Sequence, residues 1–284
     1  MTYLFHIIAT IGISLPSILG YNFIFGRGKI LHFGPLAVSL FAAYAIFLTQ
    51  RETGNYALAM LVGLPASLAI SSFFAWLALR LEGDALGILT IAMHLAVYSV
   101  VLNWFSLTRG ALGLPQIPRM PLFVSLPAFA FFSTVIALLF ALFVHRLDRG
   151  RLGRELRALS ENRAHAESLG ICRGRAVLFA FLVGGLGAFL SNLQFPQYVG
   201  LLHPNDYQFK DLIFFVMCVV AGGPGSVRGV AIAVVLITIL RESMRFLPLP
   251  LDVVGPLRLM LFGLILVVAV YLRRKEIFPM QRSV

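Results

Sequence analysis

Gly26-Arg27-Gly28-Lys29 sets two glycines beside two cations, the residue types that cradle phosphate through backbone N–H groups and positive charge. A nucleotide-binding loop needs GxxxxGK[ST], because its lysine and hydroxyl must reach fixed places on the phosphates and magnesium. That spacing is absent, so any ATP chemistry must belong to another polypeptide. His6, His32, His94, His145, His165 and His203 form neither HExxH nor a close pair, and the pattern holds no metal site. Cys172 and Cys218 are far apart and read as inert thiols. The 12 acids, Asp211 and Glu242 among them, sit in loops or near segment ends. Proton-driven carriers commonly keep a carboxylate in mid-membrane, so this counts against a secondary carrier. A sodium site made of backbone carbonyls stays compatible with it. His94, within an apolar segment, and His32, near a glycine break, read as hydrogen-bonded neutral groups or as functional ones. No catalytic constellation emerges, and the chain reads as a non-enzyme without a cofactor of its own.

The elements that would carry any such groups are membrane helices. Of 284 residues, 59% are hydrophobic and 12% charged. A soluble domain is nearer ~45–50% and ~25%. Mean hydropathy is +0.90. Too few polar groups exist to cover a soluble surface, and disorder needs low hydrophobicity. Apolar runs such as Ala176–Leu193 are continuous rather than alternating, which favours helices over a barrel. The expected fold is all-α: one polytopic transmembrane bundle over 1–284, with roughly eight or nine segments at ~20 residues per crossing. They read as 3–25, 30–50, 56–80, 84–107, 121–145, 174–197, 209–221, 229–247 and 255–272, the seventh too short to span alone. The first basic residue is Arg27, so the first run is expected to stay uncleaved.

The net charge of +11 and pI near 10.4 would suggest nucleic acid in a soluble protein. Their placement gives a different reading. The one long hydrophilic stretch, His145–Arg175, carries eight arginines against four acids and belongs in the cytoplasm. Counting crossings outward places 16 basic residues inside and six outside, with Arg258 within the last segment. The N-terminus is then outside and the C-terminus cytoplasmic.

Two places interrupt the helical pattern: Gly26 and Gly28 through Gly34-Pro35, and Gly222-Gly223-Pro224-Gly225 through Gly229. They occupy comparable places in the two halves. In transporters, paired interruptions mark internal repeats and the substrate path; ordinary turns are the plainer reading. Gly26, Gly28, Gly34, Gly222, Gly225 and Gly229 are the gate or hinge candidates. Asn22, Thr90, Asn103 and Ser226 are candidates for lining the path, although hydrogen bonding between helices explains each equally well.

Within His145–Arg175, Leu152, Leu156 and Leu159 make one apolar stripe. Ser160 offers a break and an N-cap, with Glu161 in the first turn after it. Ala164, Ser168 and Ile171 repeat at helical spacing, and Gly170 suits a C-terminal cap. The stretch reads as a basic loop on anionic lipid or as a docking helix for a cytoplasmic partner. Nucleic acid fits poorly, since no aromatics interleave.

Residues Gly153–Ile171, GRELRALSENRAHAESLGI, resemble the coupling loop of the inner-membrane permeases of branched-chain amino-acid ABC transporters. Asn162 and Arg163 replace usual acids there, and His165 a usual alanine. Further motifs of this kind lie in order along the chain: Gly20–Gly26 with Leu31–Gly34, Leu79–Thr90, Ser106–Gly110 with Gly113–Pro118, and Gly222–Gly229. Pro35 stands where histidine is common. Order and spacing are similar to the second of the two permease types that pair in these systems.

The resemblance implies a type II importer permease in a bacterial inner membrane. The coupling loop, 146–173, would present Glu161, Arg163, Ala164, Glu167 and Gly170 to an ATPase subunit. The implied partners are a second permease, two cytoplasmic ATPases holding ATP and Mg, and a periplasmic solute-binding protein docking near Ser106–Pro118. The implied cargo is branched-chain or related amino acids. Urea, short amides and other small solutes remain alternatives, as does a stand-alone ion-coupled carrier or channel.

Overall fold

The computed structural model describes residues 2–81, 83–244, 257 and 260–271. The architecture is a helical bundle. Helix α1 (Thr2–Tyr21) runs on through a π-helical stretch, Asn22–Arg27. There follow α2 (Pro35–Thr53), α3 (Tyr56–Arg80), α4 (Asp84–Asn103) and the short α5 (Phe105–Thr108). Next come α6 (Leu126–Arg149), α7 (Arg151–Glu161), α8 (Arg163–Ser168) and α9 (Arg173–Val199). The described chain closes with α10 (Phe209–Gly222), α11 (Val227–Ser243) and α12 (Met260–Tyr271).

Among the described residues, five helices are long and apolar enough to cross a bilayer: Thr2–Arg27, α3, α4, α6 and α9. Helix α10, with 14 residues, is shorter than the ~20 a crossing needs. It pairs with α11 as a hairpin. The fourth expected segment, 84–107, breaks at Trp104, so only its first 20 residues form α4. The fifth starts later and runs further than expected, to Arg149, because Ser125 caps its N-terminus by accepting from the Ala128 N–H at 3.4 Å. Much of the expected 255–272 segment and the basic tail beyond it lie outside the described residues.

Helices α1 and α9 form the centre. Buried residues make up 72% and 67% of their apolar windows, against 28–33% for α3, α4 and α6, which turn aliphatic faces outward. Small residues permit this. A Cβ on Gly20 would come within 3.0 Å of Gly184 Cα, and one on Gly12 within 2.8 Å of Ser133. Such close approach is how membrane helices gain packing energy without a hydrophobic driving force between them. Pro16 disturbs the α1 hydrogen-bond ladder. The Ser17 N–H donates across to Ser191 Oγ of α9 at 2.9 Å, and Ser67 Oγ of α3 donates to the Gly185 carbonyl at 2.8 Å.

The arginine-rich α7–α8 segment marks one end of the bundle. At the far end, two-residue strands β1 (Leu114–Pro115) and β2 (Leu201–Leu202) pair antiparallel, Leu114 opposite Leu202. They pin the loop after α5 to the loop after α9, a small addition to the all-α expectation.

Candidate translocation and coupling sites

At the arginine-rich end, Gly150 ends α6 and donates its N–H to the Arg146 and Leu147 carbonyls. Residues 146–149 are thus the last turn of α6, and α9 begins at Arg173. Gly153 has no room for a Cβ, which would overlap the Asp148 carbonyl. The chain therefore folds α7 straight back against the bundle. Leu156 is buried at 1% exposure, with Leu152 and Leu159 packed partly beneath it, as the stripe implies. Glu155, 8% exposed, accepts from Arg151 of α7 at 2.6 Å and from Arg175 of α9 at 3.2 Å. This fastens α7 to the bundle.

The break between the short helices is at Asn162, not Ser160. Ser160 stays helical because its hydroxyl donates to the Arg157 carbonyl at 2.8 Å. Asn162 has extended backbone, and its Oδ1 accepts from the His165 N–H at 3.0 Å, which caps α8. At the other end Gly170 has φ +82. Its N–H donates to the Glu167 carbonyl at 3.0 Å, and the Ile171 N–H to the Ala166 carbonyl at 3.1 Å. This is the paired closure that a left-handed glycine makes possible. Ala166 is buried, whereas Glu161, Arg163, Ala164, Glu167 and Gly170 are all exposed. The Arg157–Glu161 and Arg163–Glu167 pairs, each 3.0 Å, lie on this face and contribute little to stability.

The two glycine breaks meet. Asn22 Oδ1, in the π-helical stretch, accepts from the Gly225 N–H at 2.9 Å. Gly26 packs on the same turn so closely that a Cβ would overlap Gly225 N and come within 3.0 Å of the Pro224 carbonyl carbon. Gly223 and Gly225 have φ of +93 and +82, which glycine adopts without a Cβ penalty. Gly222 and Gly229 press together inside the α10–α11 hairpin, where either Cβ would overlap the partner strand of the turn. Gly34 lies against the Phe74 ring, and Gly28 follows the end of the π-helix with its N–H on the Phe23 carbonyl at 3.3 Å.

One residue beyond Gly26, Arg27 makes a bidentate ion pair with Asp148, in the last turn of α6. Both side chains are largely shielded, 21% and 13% exposed. The π-helical stretch thus touches the root of the α7–α8 segment at one end and the α10–α11 turn at the other. Single π-helical turns recur at functional positions.

A cavity of ≈410 Å³ lies toward the far end among α1, α2, α9, α10 and α11. Its apolar wall includes Ile13, Leu36, Phe195, Phe214 and Phe215. Its charged rim is His6, Asp206, Asp211, Arg241 and Glu242. Glu242 is 6% exposed and meets His6 Nε2 at 3.3 Å and Arg241 at 3.7 Å. Tyr207 donates to Asn192 Oδ1 at 2.7 Å. Burial first, then the Asp206 charge, push the Tyr207 phenol well up, so it stays a donor. Deeper in, Ser39 lines the cavity at 3% exposure and makes no hydrogen bond to any described residue. An apolar pocket with a few convergent polar groups is the usual form of a small-molecule site.

The path candidates named from sequence fall elsewhere. Thr90 is fully buried and accepts from the Phe33 N–H at 2.9 Å, holding the extended segment after Gly28 against α4. Asn103 is exposed and donates to the Ser99 carbonyl at 2.7 Å. Ser226 caps α11 through the Gly229 N–H at 3.1 Å. Asn22 binds the hairpin turn. His32 packs on Phe181, 4.9 Å between ring centroids, and His94 is 1% exposed inside α4. The cavity groups Asp211 and Glu242 had one sequence signal, a charge near the end of a short apolar segment. Ser39 and Asn192 had none.

The profile of the family described as branched-chain amino acid transport system / permease component matches residues 3–270. The high-affinity branched-chain amino acid transport system permease protein LivM of Escherichia coli strain K12 is 29% identical over 293 residues, covering 93% of this chain and 67% of that protein. Its Salmonella typhimurium counterpart is 28% identical over 295 residues, with the same coverage. A protein named probable branched-chain amino acid transport permease protein LivM, of Methanocaldococcus jannaschii, is 26% identical over 239 residues, 80% of this chain and 69% of that protein. No solved structure matches the chain significantly.

Proposed function

This chain belongs to the family of branched-chain amino acid transport permease components, and from that premise we propose that it is one of two permease subunits of an importer for branched-chain amino acids. It is a multi-pass membrane protein whose role is transport rather than catalysis. ATP and Mg act in two partner ATPases, and a periplasmic binding protein delivers cargo at the far end. The N-terminus lies outside, and the arginine-rich end is cytoplasmic.

The observation that carries this reading is the contact chain running from α8 to the cavity hairpin. An ATPase closing on the exposed α8 face moves α7 and the root of α6. Asp148 transmits the shift through Arg27 to the π-helical stretch. Asn22 and Gly26 pass it to the Gly225 turn, and α10 and α11 carry it to Asp211 and Glu242. Access would then switch by rigid-body movement of packed elements. The cavity suits the cargo, since an apolar wall takes a branched side chain and a charged rim takes an ammonium and a carboxylate.

The test is Gly170→Arg in the assembled complex. Substrate-stimulated ATP hydrolysis should be lost while membrane insertion stays normal. Unchanged stimulation would remove the docking role. Cargo transport by the chain alone in liposomes, with no ATPase present, would replace the importer with a lone carrier.

A further inference from the structure

At the end of the bundle opposite α7 and α8, a cavity of ≈210 Å³ lies between the last turns of α2 and the loop that carries β1. The chain is described without a break through both walls, 47–54 and 109–117. Arg51 and Arg109 line the cavity, and no acid is among the described residues that do. Neither guanidinium makes a hydrogen bond or ion pair with any described residue. Between them stands Gln50, 9% exposed, whose side-chain amide also bonds no described residue. Its backbone carbonyl is already taken by the Gly54 N–H at 2.8 Å. The floor is apolar and closed, with Phe47 and Leu114 buried. The mouth is at the surface, since Arg51, Pro115 and Gln116 are exposed.

The loop wall is held in place. Leu114 pairs opposite Leu202, and the Ile117 N–H donates to the Gly200 carbonyl at 3.1 Å. Arg109 and Gln116, one on each side of that anchor, adopt left-handed backbone with φ of +61 and +58, uncommon for residues with a Cβ. Two cations and a shielded amide are thus gathered from separate elements around one open, acid-free cavity.

We propose that this cavity receives a carboxylate side chain, Asp or Glu, of the binding protein that delivers cargo, with Arg51 and Arg109 gripping it and the Gln50 amide donating from below. This rests on the importer reading, in which this end of the bundle faces outward. Guanidinium forks hold carboxylates through paired, charge-assisted hydrogen bonds. A free amino acid fits less well, because no acid lines the cavity to take its ammonium. A free inorganic anion at an open mouth is held only by screened charge. A side chain presented by a docked protein covers the mouth and removes that screening.

The test is leucine uptake by the assembled transporter in dioleoyl phosphatidylcholine proteoliposomes, titrated with its binding protein. Arg51→Gln combined with Arg109→Gln should raise the half-saturating concentration of binding protein about ten-fold and leave the maximal rate unchanged, since rim charges act on encounter and docking. Arg51→Lys keeps a charge without the fork and should fall between. Gln116→Glu leaves both arginines in place and sets a competing carboxylate at the mouth, so it should resemble the double variant. Half-saturation unchanged in both the double variant and Gln116→Glu would overturn the site and leave the importer reading intact. A lower maximal rate with no shift in half-saturation would make these residues structural and overturn it too. Uptake that needs no binding protein would overturn the importer reading together with this site. A shift that appears only when phosphatidylglycerol is added to the vesicles would assign the cations to lipid and overturn the protein contact.

Discussion

Asn22 and Gly225 are 203 residues apart in sequence, yet the Asn22 amide oxygen accepts the Gly225 backbone N–H at 2.9 Å in a buried setting. The bond joins the two glycine interruptions of the chain into one feature. It satisfies a backbone donor that the turn between α10 and α11 would otherwise leave buried and unpaired.

Replacing Asn22 with Ala should therefore destabilise the chain by ~1–3 kcal/mol, the cost of orphaning a buried donor. Differential scanning fluorimetry in detergent would read the loss. Asn22→Asp keeps an acceptor and should lose less. An unchanged melting temperature in Asn22→Ala would mean that another group takes the Gly225 N–H.

Gly26→Ala acts at the same contact by displacement rather than deletion. The added methyl overlaps the Gly225 backbone, so the turn must move. Uptake in the assembled transporter should fall at least as far as in Asn22→Ala, with normal insertion. Wild-type uptake would show that the turn moves aside at no functional cost.

The Arg27–Asp148 pair is the next link. Arg27→Gln or Asp148→Asn each leaves one shielded charge without its partner. Either should lower substrate-stimulated ATP hydrolysis about ten-fold, equivalent to ~1.4 kcal/mol of lost coupling. The exchange Arg27→Asp with Asp148→Arg should restore part of it. Two single variants whose effects simply add in the double would rule out direct coupling between these residues.

Gly170 has open space where a Cβ would stand, so a methyl there meets no neighbour and tests the backbone conformation. Gly170→Ala should cost ~1–2 kcal/mol for a left-handed residue with a Cβ. Asn tolerates that region and should be milder. Hydrogen exchange across 163–171 should speed up in the alanine variant more than in the asparagine one. Equal rates in all three would show that the α8 closure does not depend on Gly170.

At the cavity, Ser39 and Glu242 separate function from stability. Ser39→Ala removes a hydroxyl that bonds no described residue, so melting should shift little while leucine uptake into proteoliposomes falls. Glu242→Gln weakens the contacts to His6 and Arg241 and should lower both. Uptake unaffected in both variants would remove the cavity from the cargo route.

Helical membrane architecture was legible from composition alone, because a chain this apolar has no soluble alternative. The two short helices of the arginine-rich segment were legible from the stripe of leucines and the terminal glycine. The cap was not, because Ser160 and Asn162 are both good caps in sequence, and only the backbone at 162 turns out of the helix. The glycine breaks were visible one at a time. Their contact was not, since nothing local encodes a pairing across 203 residues. Thr90 and Ser226 were polar at the right depths but are committed to backbone N–H groups. The cavity depended on convergence of five helices, which periodicity within any one of them does not report.

The abutting glycines of the α10–α11 hairpin set a mechanical limit on the molecule. With hydrogen alone between Gly222 and Gly229, the backbones of the two limbs meet directly at the turn. In the proposed transport cycle that contact favours the pair swinging as a single paddle. A bulkier residue at either position would pry the blade open, and the stroke would dissipate before it arrived.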